Sequence, residues 1–388
     1  MEISYLDASS GMPTRREVLE AMLPFFTEEY GNISSIHSGG TVPKRAVDRA
    51  RAEVASLVNV APKEIIFTSG ATESINLALR GPLPHVEESR KKLVISAVDH
   101  ASVTAAAGAV GGSGYDLSVI PVDGYGAMDP DAFGEIIDDK TALVSIPFAS
   151  QEVGTLQPIR EITQAAHEAG SLVHVDLTMA AFQCLIDLKK LDVDMATLSG
   201  NDLMGPKGVG ALYRKEGVKL SPIIRGGGHE RGFRSGSENV PGIVGMGRAA
   251  VISEESMDEV RDHLLGLREE LISSLLKIPD SHLNGHPRNR LPNNVNVRFD
   301  YIEGESMLML LDMGGVAVGT GSACSSRTLE ASPTLLAMGL SHDKAHGSMQ
   351  ITLNPLNDHE DIKRMIEAMP GIVENLREMS PLYNAQVK

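Results

Sequence analysis

"IREITQAAHEAGSLVHVDLT" (residues 159–178) decides the class of this chain. Its first half is an amphipathic helical pattern closed by Gly170, and "SLVHVD" (171–176) then reads as a buried strand ending in a carboxylate, Asp176. Similar runs lie on both sides: "EIIFTS" (64–69), "KLVISAV" (92–98), "TALVSIPFA" (141–149), "MATLSG" (195–200) and "GVGALYR" (208–214). Helical patterns such as "DPDAFGEIIDD" fall between several of them. Strand–helix alternation predicts an α/β fold, a mostly parallel sheet covered by helices. "RGGGHERGFRSGSENVPG" (225–242) is a long Gly-rich connection of the kind that carries function.

A long helix, "SMDEVRDHLLGLREELISSLLKI" (256–278), leads into an α+β part with strands at "NNVNVRF" (293–299), "GGVAVGTG" (314–321) and "SMQITL" (348–353). The expected division is a large domain over 15–251 and a smaller one made of 1–14 and 252–388, consistent with a 388-residue chain too long for one small core.

Composition narrows the function. A net charge of −16 argues against nonspecific nucleic-acid binding, and an acidic solvated surface is the simplest reading. No apolar run has the length of a membrane span, and "MEISYLDASS" lacks the pattern of a signal peptide. The two cysteines, Cys184 and Cys324, make no disulfide framework, so a cytoplasmic location is expected.

Several stretches carry candidate chemistry, each with a bland reading beside it. "FTSGATES" (67–74) leaves a strand through Gly70 and opens a helix whose free N–H groups attract an anion, or it is a plain cap. Asp176 stands at a strand's C-terminal end, where it could pair with a protonated ring nitrogen or cap a helix. In "AVDHAS", His100 could stack on a ring; alternatively Asp99 caps the helix and His100 is merely polar. Cys324, among Gly, Ser and Ala in "GTGSACSSRT" (319–328), is an accessible thiol that could be a nucleophile, a persulfide carrier or a metal ligand, or an incidental loop residue. Cys184 in "MAAFQCLI" reads as inert core. His342 and His346 share a helix face without a third metal ligand in view.

Taken in order, "YLDASSGMP", "GNISSIHSGG", "FTSGATES", "HVD", "GPKGVGAL", "GGGHERGFRSGSENVPGIVGMG", "LPNNVNV", "GTGSACSS" and "MSPLY" resemble the NifS/IscS-type cysteine desulfurases of the class V aminotransferase group over nearly the whole chain. The resemblance implies fold type I with a seven-stranded type of sheet, a homodimer and a pyridoxal phosphate (PLP) pocket. In it Ala71, Thr72 and Ser199 would hold phosphate, with Ser237 reaching in from the other subunit. His100 would stack on the ring, Asp176 would face its nitrogen, and Asn32 would lie at the substrate. Cys324 matches the cysteine that takes sulfur from L-cysteine as a persulfide. The C-terminal segment resembles the docking surface for an iron–sulfur scaffold of the IscU type, where Cys324 could also be a ligand to a cluster.

The departures fall on the chemistry. The family's His-Lys pair is here Asn201-Asp202, so the Schiff-base amine is replaced by a carboxylate. Met179 stands where the family has Gln, Gln151 where it has Asn, and Gln350 where it has the arginine that clamps the substrate carboxylate. Asp202 forms no imine and repels the cofactor phosphate, Met179 donates no hydrogen bond, and Gln350 gives no bidentate charged clamp. PLP, if held, would be held non-covalently. Lys207 is a substitute amine only if its structural place in Gly-Pro-Lys-Gly allows it. Three functions follow: a desulfurase-like protein of iron–sulfur assembly working through Cys324, an active desulfurase with non-covalent PLP, or another PLP-family activity or inert dimer.

Overall fold

The computed structural model describes residues 3–319 and 331–386. The strands, in chain order, are β1 (Ser4–Tyr5), β2 (Ile65–Thr68), β3 (Lys92–Ser96), β4 (Asp116–Ile120), β5 (Thr141–Pro147), β6 (Leu172–Asp176), β7 (Met195–Ser199), β8 (Gly210–Arg214), β9 (Ser281–Asn284), β10 (Asn294–Phe299), β11 (Val316–Ala317) and β12 (Ser348–Thr352). Seven of them form one sheet in the order β2-β8-β7-β6-β5-β3-β4. Only β8 runs against its two neighbours; the rest are parallel. This is the mostly parallel α/β sheet that the strand–helix alternation implies, and it matches fold type I.

Buried apolar side chains explain the central strands. In β5 every residue is buried, and in β6 all but the first are, as a strand covered on both faces requires. One polar side chain sits among them. His174 contacts the Ser145 hydroxyl through Nδ1 at 2.8 Å and the Thr197 hydroxyl through Nε2 at 2.9 Å, joining β5, β6 and β7. Burial pushes its imidazole down to about 3, so it stays neutral while it bonds. The sequence reading omitted β4. That strand lies at the sheet edge with Leu117 and Val119 exposed, so it lacks the buried run that marked the others.

Helix Ser38–Leu57 lies against helix Val240–Glu255 at a close approach: a Cβ on Gly247 would sit 2.6 Å from the Ala50 Cα. The Gly-rich connection between β8 and the second helix is anchored at Glu230. Its carboxylate receives both guanidinium nitrogens of Arg51 at 2.6 and 2.7 Å and the Phe67 amide at 3.0 Å. Glu230 and Arg231 both adopt positive φ, and this buried pairing holds them there.

The remaining strands make two small sheets. In the first, β10 is flanked by β9 and β12, both antiparallel to it; in the second, β1 pairs with β11 in parallel. Of the expected strand over 314–321, the described residues form the two-residue β11, and β9 is an addition. Helices Met257–Leu275, Gly304–Met313 and His359–Met379 accompany these sheets.

Candidate functional site

The parallel strands all end at one edge of the large sheet, and the turns that follow them carry most of the residues singled out in the sequence. β2 leads through Gly70 (φ +148°) into helix Ala71–Arg80, where Gly70 offers no side-chain cap. The first amides of that helix, at Ala71 and Thr72, therefore point at an anion position. Arg234 of the Gly-rich connection is held beside it by Glu73, at 2.9 and 3.3 Å. β8 approaches the same turn closely: a Cβ on Gly210 would lie 2.7 Å from the Gly70 Cα.

His100 follows β3 and caps helix Ala101–Gly111 itself. Its Nδ1 accepts from the Ser102 amide at 3.2 Å and contacts the Ser102 hydroxyl at 2.7 Å. Of the two readings of this pair, the alternative in which Asp99 caps the helix does not hold. Asp99 instead accepts the Ser96 amide at 2.7 Å, while its Oδ1 is shut off from solvent with no partner. Desolvation holds its pKa well above the usual carboxylate range, with Asp176 adding to the rise.

Asp176, the last residue of β6, is buried and accepts the Thr178 amide at 3.0 Å and hydroxyl at 2.8 Å. Desolvation raises its pKa, opposed by the Thr178 bonds and by His100. Met179 is buried three residues on, in a left-handed conformation (φ +65°). Ser199 ends β7, and Asn201 and Asp202 form the short 3-10 turn Asn201–Leu203 after it. Asp202 accepts from the Ser199 hydroxyl and, at 3.3 Å, from the Asn201 amide. Desolvation pushes its carboxyl up to about 7; repulsion from Asp176 adds to this, and the two hydrogen bonds oppose it. Near neutrality Asp202 is thus a half-neutral acid at the end of β7, and an imine-forming amine is not what this position supplies.

Gln151 follows β5, and Gln350 of β12 reaches it: Gln350 Nε2 donates to the Gln151 carbonyl at 2.7 Å. Gln350 is buried with its amide occupied in this way. Asn32 and Ser237 come together in a different place, a 270 Å³ cavity shared with Phe25, Tyr30 and Glu238, which none of the strand-end residues lines. Lys207 lines a 760 Å³ cleft with Tyr5, Ser10, Asn357 and Arg364. Cys324 lies outside the described residues. Cys184 packs on the core, and burial pushes its thiol up to about 12, which fits the inert reading. Among the described residues no group of three or more His, Cys, Asp or Glu could hold a metal ion, so His342 and His346 gain no third ligand there. No described helix is long and apolar enough to cross a membrane.

The sequence reading missed Asp99 as a buried acid, and it missed Glu152, whose carboxylate accepts the Ser332 hydroxyl at 2.6 Å and whose carbonyl accepts the side-chain amides of Asn294 and Asn296, each at 3.1 Å. Neither has a local signal, since each is defined by what packs on it from other elements.

The strand-end residues can be tested against the PLP that the motifs imply. The free amides at Ala71 and Thr72 suit a phosphate, and the buried Asp176 suits a pyridine nitrogen. The covalent half does not fit: the position that would hold an amine holds a desolvated carboxyl of raised pKa, hydrogen-bonded by Ser199 and Asn201.

Comparison with known proteins agrees with this architecture. The family model for Aminotransferase class-V matches residues 4–365. Cysteine desulfurase IscS 1 of Archaeoglobus fulgidus is 48% identical over 379 residues, covering 98% of this chain and 99% of the relative. Cysteine desulfurase IscS of Methanosarcina thermophila is 46% identical over 378 residues, covering 97% and 94%. Among solved structures, a NifS-like protein superposes with a TM-score of 0.90 at 35% identity over 97% of this chain and 99% of the other. A NifS-like protein from Rickettsia africae gives 0.87 at 29% identity over 96% and 100%. The strand-end residues, the sheet that presents them and these likenesses over nearly full length place the chain in the NifS/IscS-type cysteine desulfurase family of class V aminotransferases.

Proposed function

We propose that this chain is a desulfurase-like protein of iron–sulfur cluster biogenesis that works through the Cys324 thiol, as a sulfur carrier or a cluster ligand, together with a scaffold partner of the IscU type. The observation that carries this reading is Asp202: a carboxyl raised to about 7 stands after β7 where the family motif has its lysine. Met179 and Gln350 support it, since one is apolar and the other is bonded to the protein's own backbone. The proposed assembly is a cytoplasmic homodimer, with the chain divided into a large domain over 15–251 and a smaller one made of 1–14 and 252–388.

A second reading is kept because the non-covalent half of the pocket persists at Ala71, Thr72 and Asp176. In it the protein is an active desulfurase that holds PLP without a covalent link. L-cysteine would give L-alanine, and its sulfur would pass to the Cys324 thiol as a persulfide.

Cys324→Ser tests the first reading. A neutral hydroxyl is a poor ligand for soft iron–sulfur centres, so the variant should keep its fold and lose cluster retention in the scaffold complex. Unchanged cluster yield would reject the role. The ultraviolet–visible spectrum of the purified protein separates the readings: a PLP chromophore supports the second, and a brown cluster band with no PLP band supports the first.

A further inference from the structure

The anion position and the acids of the strand-end site are neighbours in the sheet. Ser199 of β7 pairs with Gly210 of β8, and a Cβ on Gly210 would lie 2.7 Å from the Gly70 Cα, in the turn that opens helix Ala71–Arg80. The Ser199 hydroxyl bonds the Asp202 carboxyl. On the other side of β7, Thr197 pairs with Asp176 of β6, and Asp176 repels the carboxyls of both Asp202 and Asp99. Uncapped amides with Arg234 beside them therefore stand at one end of the site, and three acids gather at the other.

Hydrogen bonding at the acidic end is unbalanced. Asp99 Oδ1 and Asn201 Oδ1 are both shut off from solvent without a donor. Asn201 spends its Nδ2 on Asp202 Oδ1 at 3.3 Å, which leaves its own oxygen over. The donors at hand are committed: the Thr178 amide and hydroxyl go to Asp176, and the Ser199 hydroxyl goes to Asp202. Lys207 Nζ and Asn201 Oδ1 lie 3.6 and 3.7 Å from the place a Cβ on Gly11 would take, yet no hydrogen bond joins them. Buried acceptors are normally paired, and an unpaired one carries the full cost of its desolvation. Mutual repulsion of the carboxyls adds to that cost, and a cation relieves it. A site with acceptors to spare suits a ligand that brings charged N–H groups.

We propose that the strand-end site binds a phosphorylated pyridine bearing an amine, pyridoxamine 5′-phosphate (PMP), in preference to analogues with a neutral group in place of the amine, and that Asp202 is the partner of the ammonium group. The amides of Ala71 and Thr72 suit its phosphate, and Asp176 suits its ring nitrogen. An aldehyde oxygen is an acceptor alone, so beside Asp202 it would deepen the excess; an aminomethyl group is cationic there and supplies three donors. The exchange of an amine for a carboxyl at position 202 is thus matched by the opposite exchange on the ligand. A site filled in this way offers no carbonyl to the amine of L-cysteine, which accords with the reading of the protein as a sulfur carrier or cluster ligand. The inference rests on Asp202, as that reading does, and on no property of Cys324.

The test is isothermal titration calorimetry of the full-length protein, dialysed free of small molecules. The titrants are PMP, pyridoxine 5′-phosphate, which has a neutral hydroxyl in place of the amine, and inorganic phosphate. PMP should bind at least about tenfold more tightly than pyridoxine 5′-phosphate, the effect of one charge-assisted hydrogen bond. Asp202→Asn keeps the shape and removes the charge, so it should bring the two affinities to near equality. Equal affinities in the parent overturn the proposal, as does an unchanged ratio in Asp202→Asn. A PMP affinity no better than that of inorganic phosphate also overturns it, since only an anion position at the helix end would then remain. The comparison within the parent needs no variant and stands even if Asp202→Asn does not fold. Cluster retention in Cys324→Ser is read on a different property, so either result can fail without the other.

Discussion

Gln350 Nε2 lies 2.7 Å from the Gln151 carbonyl oxygen, a bond between residues 199 positions apart in the chain. A side chain that the resemblance aligns with a substrate-clamping arginine is thus tied to the protein's own backbone. Gln350→Ala removes the donor, while the carbonyl keeps its weaker Asn294 contact. The expected loss is about 1 kcal/mol. It is checked by urea unfolding of the variant beside the parent, and no loss would mean that water replaces the bond fully.

Borohydride reduction in the presence of PLP, followed by peptide mass analysis, should find no pyridoxyl-lysine in stoichiometric amount. The turn after β7 offers Asp202 in place of an amine, and Lys207 lines a cleft with Tyr5 and Ser10, its Nζ and Asn201 Oδ1 lying 3.6 and 3.7 Å from the place a Cβ on Gly11 would take. A stoichiometric adduct on Lys207 would reverse this and restore ordinary cofactor chemistry.

Asp202→Lys supplies the missing amine and should yield colour with PLP but little sulfide from L-cysteine. Gln350 would still lack a guanidinium, and misplacement of a substrate carboxylate can cost about a hundredfold in rate. Adding Gln350→Arg and Met179→Gln should raise sulfide release more than additively, because the three side chains act on one bound substrate. Brisk turnover by Asp202→Lys alone would show that the other replacements do not matter.

The acid at position 202 also makes a prediction about pH. Its folded pKa of about 7 lies above the ordinary 3.8, so folding takes up a proton between these values. The folded state is favoured at low pH, and that contribution is lost as pH rises through about 7. Asp202→Asn cannot ionise. Its melting temperature should exceed the parent's at about pH 8, and the difference should shrink as the pH falls below 7. A constant difference across that range would place the ionisation elsewhere.

Arg51 and Glu230 form a buried bidentate pair. Arg51→Ala leaves the Glu230 carboxylate without its counter-charge and should destabilise the fold by about 3–5 kcal/mol. Replacing both residues should cost less than the sum of the single losses, as denaturant unfolding of the three variants would show.

The central strands were readable because burial on both faces writes an unbroken apolar run, as in β5 and β6. β4 was not, because an edge strand with Leu117 and Val119 exposed needs no such run. Within the site, Asp176, His100 and Asp202 could be placed from their positions after strands. What each one touches could not. The Asp-His pair at 99–100 offers two possible caps, and only the backbone path selects His100. Glu152 accepts a hydrogen bond from Ser332, 180 residues away. Such contacts have no local period to betray them.

The short pairing of β1 with β11, together with the bond from the Ser9 amide to the Thr352 hydroxyl at 2.9 Å, ties residues separated by as many as 343 positions. During vectorial synthesis the partners of these residues leave the ribosome only after the whole of the large sheet. The strands of the large sheet, spanning 65–214, emerge well before. The segment around β1 is therefore translated before the large sheet and docked after it, once β11 and β12 have been made. Closing so long a loop is slow relative to pairing neighbours, so this corner sets later than the large sheet.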